Sequence, residues 1–263
     1  MRITYRSTNN KDYWTKRWLD IPPDQPMENI DDYPLKYAAM SVKNDGGKIL
    51  EAGCGAGRIV RYFHDRGFNI IGIDFVSVAV EKLKAMDPNL QVDVGDITKL
   101  QFSDCAFKYV LAFGLYHNLE HGLLKAIAET YRVLEVGGTV CASFRADNIQ
   151  TRLTDWLADS AKKEKAEGDQ RNFHKLNATR KEFVSLFKSA GFNVESVFPA
   201  KNMPILYKFP MFRASTHKKF NENIARKEGY KLSKVGGLLQ GFLMKFFPDQ
   251  FCNIYVLIGR RAS

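Results

Sequence analysis

Three glycines at alternate positions and three carboxylates at strand ends are the residues in this 263-residue chain whose types and spacing could do chemistry. Glu51 leads the run Glu51-Ala52-Gly53-Cys54-Gly55-Ala56-Gly57, an E-x-G-x-G-x-G pattern that follows the short apolar strand Lys48 to Leu50. Asp74 stands 23 residues after Glu51, at the end of the apolar run Ile70-Ile71-Gly72-Ile73, and Asp96 follows the short run Leu90 to Val92. Glycine lets backbone pass close to a ligand and take positive φ without penalty. A strand that turns through such glycines into a helix, here about Arg58 to Arg66, predicts free N–H groups at the helix head where a ligand can sit.

The spacing does not suit a dinucleotide. A G-x-G-x-x-G fingerprint counted from Gly53 and Gly55 needs glycine where Arg58 stands. Glu51 beside the turn would repel a pyrophosphate, but it suits a ligand with amino or hydroxyl donors and a positive centre. S-adenosylmethionine (SAM) carries a sulfonium, an ammonium and no phosphate, and fits that description. An acid at the tip of the second strand, about 20 residues on, is placed to hold a ribose diol, which gives Asp74 a role.

With these residues the chain resembles the class I SAM-dependent methyltransferases, particularly the ubiquinone/menaquinone-biosynthesis type. The resemblance covers about Lys48 to Pro199, with a last strand at Asn253 to Arg260. It implies an α/β fold: a Rossmann-like three-layer sandwich on a seven-stranded, mostly parallel sheet whose last strand is antiparallel. It also implies roles. The turn Glu51, Gly53, Cys54, Gly55 and Gly57 would bind the methionine part. Asp74 with Phe75 would hold the ribose, and Asp96 with Ile97 the adenine. Phe113, at the end of the strand Phe107 to Phe113 and counted with the cofactor-binding residues, and the stretch after it to Asn118 would line the place where the methyl group leaves. Tyr131 to Leu134 with the Gly137-Gly138 turn resembles the family's later helix and turn, although Glu135-Val136 stands where the family often has a basic residue and proline.

The elements that must position these residues follow from periodicity. Tyr13, Trp14, Arg17 and Trp18 recur at helical spacing and predict an aromatic helix over residues 9–19, either packed on the domain or lying as a lid over the cofactor. A proline-rich link, Ile21 to Pro26, follows. Further helices are predicted over Pro34 to Lys43, Val76 to Met86, His121 to Leu134 and residues 152–170, and a capping box at Thr179 and Glu182 opens another. Strands are predicted at Thr139 to Phe144, near Phe192 to Phe198, and at Asn253 to Ile258. This divides the chain into a helical lid (1–45), a SAM-binding core (46–202), an insertion (203–252) and a last core strand with tail (253–263).

Composition bounds the class. Hydrophobic content of 45% and charged content of 26% are those of an ordinary globular protein. No apolar run is long enough to span a membrane, the first residues lack a secretory h-region, and the four cysteines form no C-x-x-C pair. A cytoplasmic location without metal is therefore expected. The net charge of +10 is uneven: residues 1–150 hold 18 Lys and Arg against 19 Asp and Glu, and residues 151–263 hold 21 against 10. Within the insertion, residues 203–234 carry eight cations against Glu222 and Glu228, interleaved with Phe209, Met211, Phe212 and Phe220. Such a segment reads as a helical cap, a substrate lid, a dimer surface or a contact with an anionic membrane.

For the chemistry itself, His117 is the candidate general base, because its ordinary pKa lies near neutrality. Tyr13, Trp14, Arg17, Trp18, Tyr116 and Arg145 are candidates for shaping the acceptor site. The fourth strand lacks the Asn/Asp-Pro-Pro-aromatic tetrad used on the amino groups of bases, and no Pro-Cys nucleophile is present, so nucleic acid is not the expected partner. The reading is an enzyme that uses SAM, with S-adenosylhomocysteine as product, to methylate a small-molecule acceptor. O-methylation of a sugar or of a phosphorylated or lipid-linked metabolite is favoured. The alternatives are an RNA or protein methyltransferase docking through the basic C-terminal half, and a SAM-binding regulatory subunit without turnover.

Overall fold

The computed structural model describes residues 1–23, 26–162, 172–219 and 229–262. The chain divides into two units, one comprising residues 1–145, 170–198 and 256–263, the other residues 146–169 and 199–255.

The first unit opens with a strand, β1 (Arg2–Arg6), and helices α1 (Asn10–Asp20) and α2 (Leu35–Ser41). Strands and helices then alternate: β2 (Ile49–Ala52), α3 (Arg58–His64), β3 (Ile70–Asp74), α4 (Ser77–Met86), β4 (Val92–Val94), β5 (Phe107–Ala112), α5 (Leu123–Val133) and β6 (Leu134–Arg145). After α6 (Ile149–Lys162) come β7 (Asn172–Asn177), α7 (Arg180–Ser189), β8 (Phe192–Ala200), α8 (Lys234–Phe246) and β9 (Ile254–Arg261). Seven strands form one sheet in the order β4-β3-β2-β5-β6-β9-β8. β2 pairs in parallel with β3 and with β5, which makes it the strand at which the order reverses. All four residues of β2 are buried, as are five of the six in β5, the near-continuous apolar runs that a parallel sheet covered on both faces requires. β9 is antiparallel, as expected: the Asn253 N–H donates to the Ala200 carbonyl at one end, while Gly259 lies against the Asn193 carbonyl at the other.

Where the reading of the sequence placed a Gly-Gly turn before a strand at Thr139, β6 instead begins at Leu134 and runs through both glycines, with an irregular register against β5 between Phe107 and Tyr109. The predicted capping box of α7 is formed by both halves: the Thr179 hydroxyl accepts from the Glu182 N–H, and the Glu182 carboxylate accepts from the Thr179 N–H at 2.8 Å. An element that no periodicity announced is the two-stranded antiparallel sheet of β1 and β7, with Ile3 opposite Leu176 and Thr4 opposite Lys175. Of the helix predicted over residues 152–170, residues to Lys162 lie in α6, and 163–170 fall outside the described residues.

Beneath the sheet an aromatic layer links the elements. Phe144 stacks obliquely on Phe183 at 5.4 Å, Phe183 meets Phe187 edge-on at 5.4 Å, and Phe187 in turn touches Tyr116 at 5.6 Å. Tyr116 is fully buried and its hydroxyl lies 2.6 Å from Thr130 Oγ1, which itself donates to the Ala126 carbonyl of α5. This corrects the sequence reading, which assigned Tyr116 to the acceptor site: the side chain turns into the core.

The second unit contains α6, three short 3-10 turns (Ile205–Lys208, Pro210–Phe212 and Ser215–His217) and α8. Its turns are fastened by polar groups. The Tyr207 hydroxyl and His217 Nδ1 share a hydrogen bond at 2.8 Å, and the Arg213 guanidinium donates to the Tyr207 carbonyl at 2.7 Å. Asn148 Nδ2 donates to the carbonyls of Asp249 and Cys252, both at 2.8 Å. Phe220, Glu222, Arg226, Lys227 and Glu228 lie outside the described residues. Among the described residues no helix is long and apolar enough to cross a membrane.

The core position of Tyr116 is testable. Tyr116→Phe removes one buried hydrogen bond while Thr130 keeps its bond to Ala126, so a loss of about 1 kcal/mol in urea unfolding is expected, with ligand affinities unchanged. An affinity change without a stability change would return Tyr116 to the site.

Candidate functional site

The glycine turn is built as its sequence demands. Gly53, Gly55 and Gly57 have φ of 76°, 51° and 76°, all in the left-handed region that L side chains avoid. At Gly55 space also forbids a side chain, since a Cβ would sit 2.5 Å from the Trp18 ring; at Gly57 one would sit 2.4 Å from Leu83. Within the turn itself the N–H groups are already engaged. The Gly53 and Cys54 N–H groups both donate to the Ile73 carbonyl, at 2.8 and 3.0 Å, and the Gly57 N–H donates to the Cys54 carbonyl at 2.9 Å. The Gly55 N–H donates to Asp74 Oδ2 at 2.9 Å, and the Val76 N–H to Asp74 Oδ1 at 3.0 Å. Asp74 therefore joins the tip of β3 to the turn, and the lone pairs those bonds leave over are what a ribose diol would meet. Burial raises its pKa, against the lowering effect of those backbone donors.

Glu51 gives the clearest sign of an intended ligand. It is 4% exposed, and its Oε2 has no hydrogen-bond partner. Burial pushes its carboxyl up to about 8, only partly offset by the Val60 N–H and the Arg58 charge, while Asp74 pushes it further up. A buried carboxyl with one oxygen unsatisfied is costly to leave so. A ligand ammonium would satisfy it and favour its ionised form, so the residues present fit SAM. Cys54, also buried and with its thiol pushed well above the ordinary value, has its side chain against Gly72. Of the residues expected to hold the nucleoside, Phe75 is an exposed flat ring, Ile97 is buried, and the Asp96 carboxylate accepts from the Thr98 N–H and hydroxyl, both at 2.8 Å.

The aromatic helix α1 supplies a wall. The Asn9 side chain caps it by accepting from the Asp12 N–H. Trp14 and Trp18 stack at 5.6 Å, Tyr13 meets Trp14 edge-on at 5.2 Å, and the Arg17 guanidinium sits over Tyr13 and Trp14. None of its residues is buried, yet Trp18 lies on the glycine turn. Lys82 of α4 anchors the end of α1 by donating to the carbonyls of Trp18 and Leu19, at 2.9 and 2.6 Å. At the other end Asn10 Nδ2 donates to the Asn118 carbonyl at 2.8 Å. The helix thus reaches from the cofactor side to the loop after β5.

That loop carries His117. It adjoins the turn, since a Cβ at Gly53 would meet the Leu115 side chain at 3.2 Å. His117 is buried, faces Phe144 edge-on at 6.0 Å, and its Nδ1 has no hydrogen-bond partner. Burial and the neighbouring charges of Arg145, Lys175 and His174 hold its pKa down to about 3, so the ring is neutral at pH 7. Arg145 ends β6 and is half-buried; Lys175 is a buried residue of β7. Sequence reading found Arg145 but missed Lys175 and His174, which sit in a short polar strand far along the chain. It also missed Tyr33, whose hydroxyl lies 2.9 Å from Ser143 Oγ, while Ser143 Oγ accepts from the Gly114 N–H at 2.8 Å. Tyr33 packs edge-on against Phe113 at 6.0 Å, and burial pushes its hydroxyl up to about 12.

Comparison with known proteins agrees with this geometry. Residues 49–138 match the family described as a methyltransferase domain. The chain is 27% identical over 172 residues to an S-adenosyl-L-methionine-dependent Diels-Alderase of Talaromyces variabilis, covering 59% of this chain and 58% of that protein. It is 29% identical over 143 residues to a demethylmenaquinone methyltransferase of Renibacterium salmoninarum, covering 46% and 58%. The chain thus spans less than two thirds of the length of these curated relatives. Among solved structures, a Haloferax volcanii protein in complex with the methyltransferase activator Trm112 superposes with a TM-score of 0.61 at 15% identity, over 97% of this chain and 96% of that one, a likeness of fold.

Glu51 and His117 give the ligand-free protein a pH signature. The Glu51 carboxyl, ordinarily near 4.5 and here about 8, favours folding fully below 4.5 and loses that contribution as pH rises to 8. His117, ordinarily 6.5 and here about 3, disfavours folding as pH falls from 6.5 to 3. The two oppose one another between about pH 4.5 and 6.5, and Glu51 acts without that opposition above 6.5. Glu51→Gln is expected to flatten a decline of up to about 1.4 kcal/mol per pH unit between roughly pH 6.5 and 8, measured by urea unfolding. Equal slopes in the two proteins would mean Glu51 is ionised without ligand.

Proposed function

We propose, from the match of residues 49–138 to the methyltransferase-domain family, that the chain is a class I SAM-dependent methyltransferase and that it methylates a small acceptor carrying negative charge, at a hydroxyl oxygen. The observation that carries this reading is the contrast between two neighbouring stretches of one unit. Glu51 and Asp74 lie at the turn, and Arg145 and Lys175 act on the imidazole of the adjoining loop. SAM, when bound, supplies a methyl group already activated on positive sulfur, so the protein's task is alignment. Glu51 would take the ligand's ammonium and lose its proton. Asp74 would hold the ribose with the lone pairs its backbone bonds leave over, and Trp14 and Trp18 would present ring faces to positive charge.

On the acceptor side, His117 Nδ1 would accept the hydroxyl proton as the oxygen–carbon bond forms and the carbon–sulfur bond breaks. A base held down to about 3 is weak, because protonating it beside Arg145 and Lys175 is unfavourable. A carboxylate or phosphate on the acceptor would offset those cations and raise the basicity of His117 when substrate is bound. An anionic acceptor therefore turns an unfavourable base into a usable one. The Diels-Alderase relative supports a second reading, a SAM-dependent reaction with no methyl transfer.

Incubation with methyl-labelled SAM and a fractionated small-molecule extract tests the proposal. Label in an anionic small-molecule fraction, with one S-adenosylhomocysteine per product, is expected. Label confined to RNA or protein, or product without S-adenosylhomocysteine, would replace it. Asp74→Ala should weaken SAM binding in calorimetry, and binding near neutral pH should release a proton from Glu51, seen as heat that varies with the ionisation enthalpy of the buffer. His117→Ala should leave SAM affinity near normal and lower kcat by about 10²- to 10⁴-fold. Undiminished turnover in that variant would remove His117 from the chemistry.

A further inference from the structure

The least ordinary surface of the molecule belongs to the second unit, on α8. Val235, Leu238, Leu239, Phe242 and Phe246 follow one another at helical three- and four-residue spacing and all face solvent, Leu238 at 77% and Phe242 at 52% exposure. The face turned inward carries Leu243 and Met244, both half-buried, together with two residues that bring little apolar surface. It holds Gly236, where a Cβ would meet the Phe212 carbonyl at 2.6 Å, and Gln240, which is 2% exposed with neither amide atom partnered. A surface helix ordinarily buries its apolar stripe; α8 has apolar residues on both faces and leaves the larger set, Val235 to Phe246, uncovered. The 3-10 turn that packs against Gly236 also carries an exposed apolar side chain, Met211, at 78%. Contiguous exposed apolar surface of this kind marks an interaction site.

Charge decides between occupants. Among the described residues from 199 to 247 there is no aspartate or glutamate, whereas Lys218, Lys219, Lys234 and Lys245 are exposed. A second copy on a two-fold axis would bring these like charges together around the buried stripe. An anionic lipid surface complements both features at once: the stripe enters the headgroup and acyl boundary, and the lysines meet the phosphates.

We propose that the outward face of α8, with the adjoining Met211 turn, is a peripheral membrane-binding surface selective for anionic lipid. At 13 residues the helix is about 20 Å long and lies in the interface rather than across it. The proposal stands apart from the methyl-transfer reading, because lipid binding is read without turnover.

The test is co-sedimentation of the whole chain with vesicles of phosphatidylcholine, with and without phosphatidylserine, at low and high salt. Binding to the phosphatidylserine vesicles at least about tenfold tighter than to phosphatidylcholine alone, and weakened by salt, is expected. Leu238→Glu/Phe242→Glu places acids at exposed positions, so it should keep its circular dichroism and unfolding midpoint while losing more than about tenfold in vesicle binding. Lys234→Gln/Lys245→Gln should lose the preference for anionic lipid but keep the fold. Absence of binding by folded protein, equal binding to both vesicles, or full binding by the Leu238→Glu/Phe242→Glu protein would overturn the proposal. So would a concentration-dependent dimer that this variant abolishes, which would give the face to a second copy.

Discussion

One carboxylate ties the site together. Asp74 accepts the Gly55 N–H with one oxygen and the Val76 N–H with the other, and so fixes the tip of β3, the glycine turn and the start of α4 relative to each other. The turn can be held this way because three glycines take left-handed backbone in succession, which lets the chain reverse within a few residues and still send N–H groups to Ile73 and Asp74. A side chain at Gly55 or Gly57 would have to strain the backbone and displace Trp18 or Leu83 as well. The position of every other group at the cofactor site, Glu51 included, is defined against this junction.

The first unit carries two opposite electrostatic tensions at adjoining stretches. At the turn, burial keeps carboxyls from ionising: Glu51 is held at about 8, and Asp74 is raised despite its backbone donors. At the loop after β5, burial and nearby cations keep an imidazole from protonating. Neither arrangement favours the folded, ligand-free protein, and each would be relieved by charge of the missing sign. That is the pattern expected where a pocket is shaped for its ligand rather than for stability. A positively charged donor relieves one tension and a negatively charged acceptor the other, and the two would then meet side by side.

The doubly wound core was legible because a parallel sheet writes itself in buried apolar runs: β2, β3 and β5 each read as such, and the acid and glycines fall at their ends. Helix α1 was legible from aromatic spacing, and α7 from its capping box. What stayed hidden had local patterns weaker than its tertiary role. β1 and β7 are short and polar, and gain their place by pairing across some 170 residues, so Lys175 could not be seen beside His117. Tyr116 is adjacent to His117 in sequence, but a 3-10 turn sends its ring into the aromatic layer under the sheet. Hidden in the same way were the bonds that the turn's Gly53, Cys54 and Gly55 N–H groups make to Ile73 and Asp74 of β3, distant in sequence.

The way α1 is attached bears on how the site is reached. A helix meant as part of the core would bury a face, but α1 buries no residue. Its aromatic face is only half-buried: Trp14 stacks on Trp18 and Arg17 sits over Tyr13 within the helix, while Trp18 rests on the glycine turn and Arg6 lies over Tyr13 at 3.7 Å. Polar bonds from Lys82 at its end and from Asn10 at its beginning hold it in place, and bonds of that kind contribute on the order of 1 to 3 kcal/mol each. That is a small fraction of what a buried aromatic face would supply, so α1 belongs at the low end of local stability, where pieces that open for ligands are drawn from. Trp18 rests on Gly55, so opening of α1 would uncover the glycine turn.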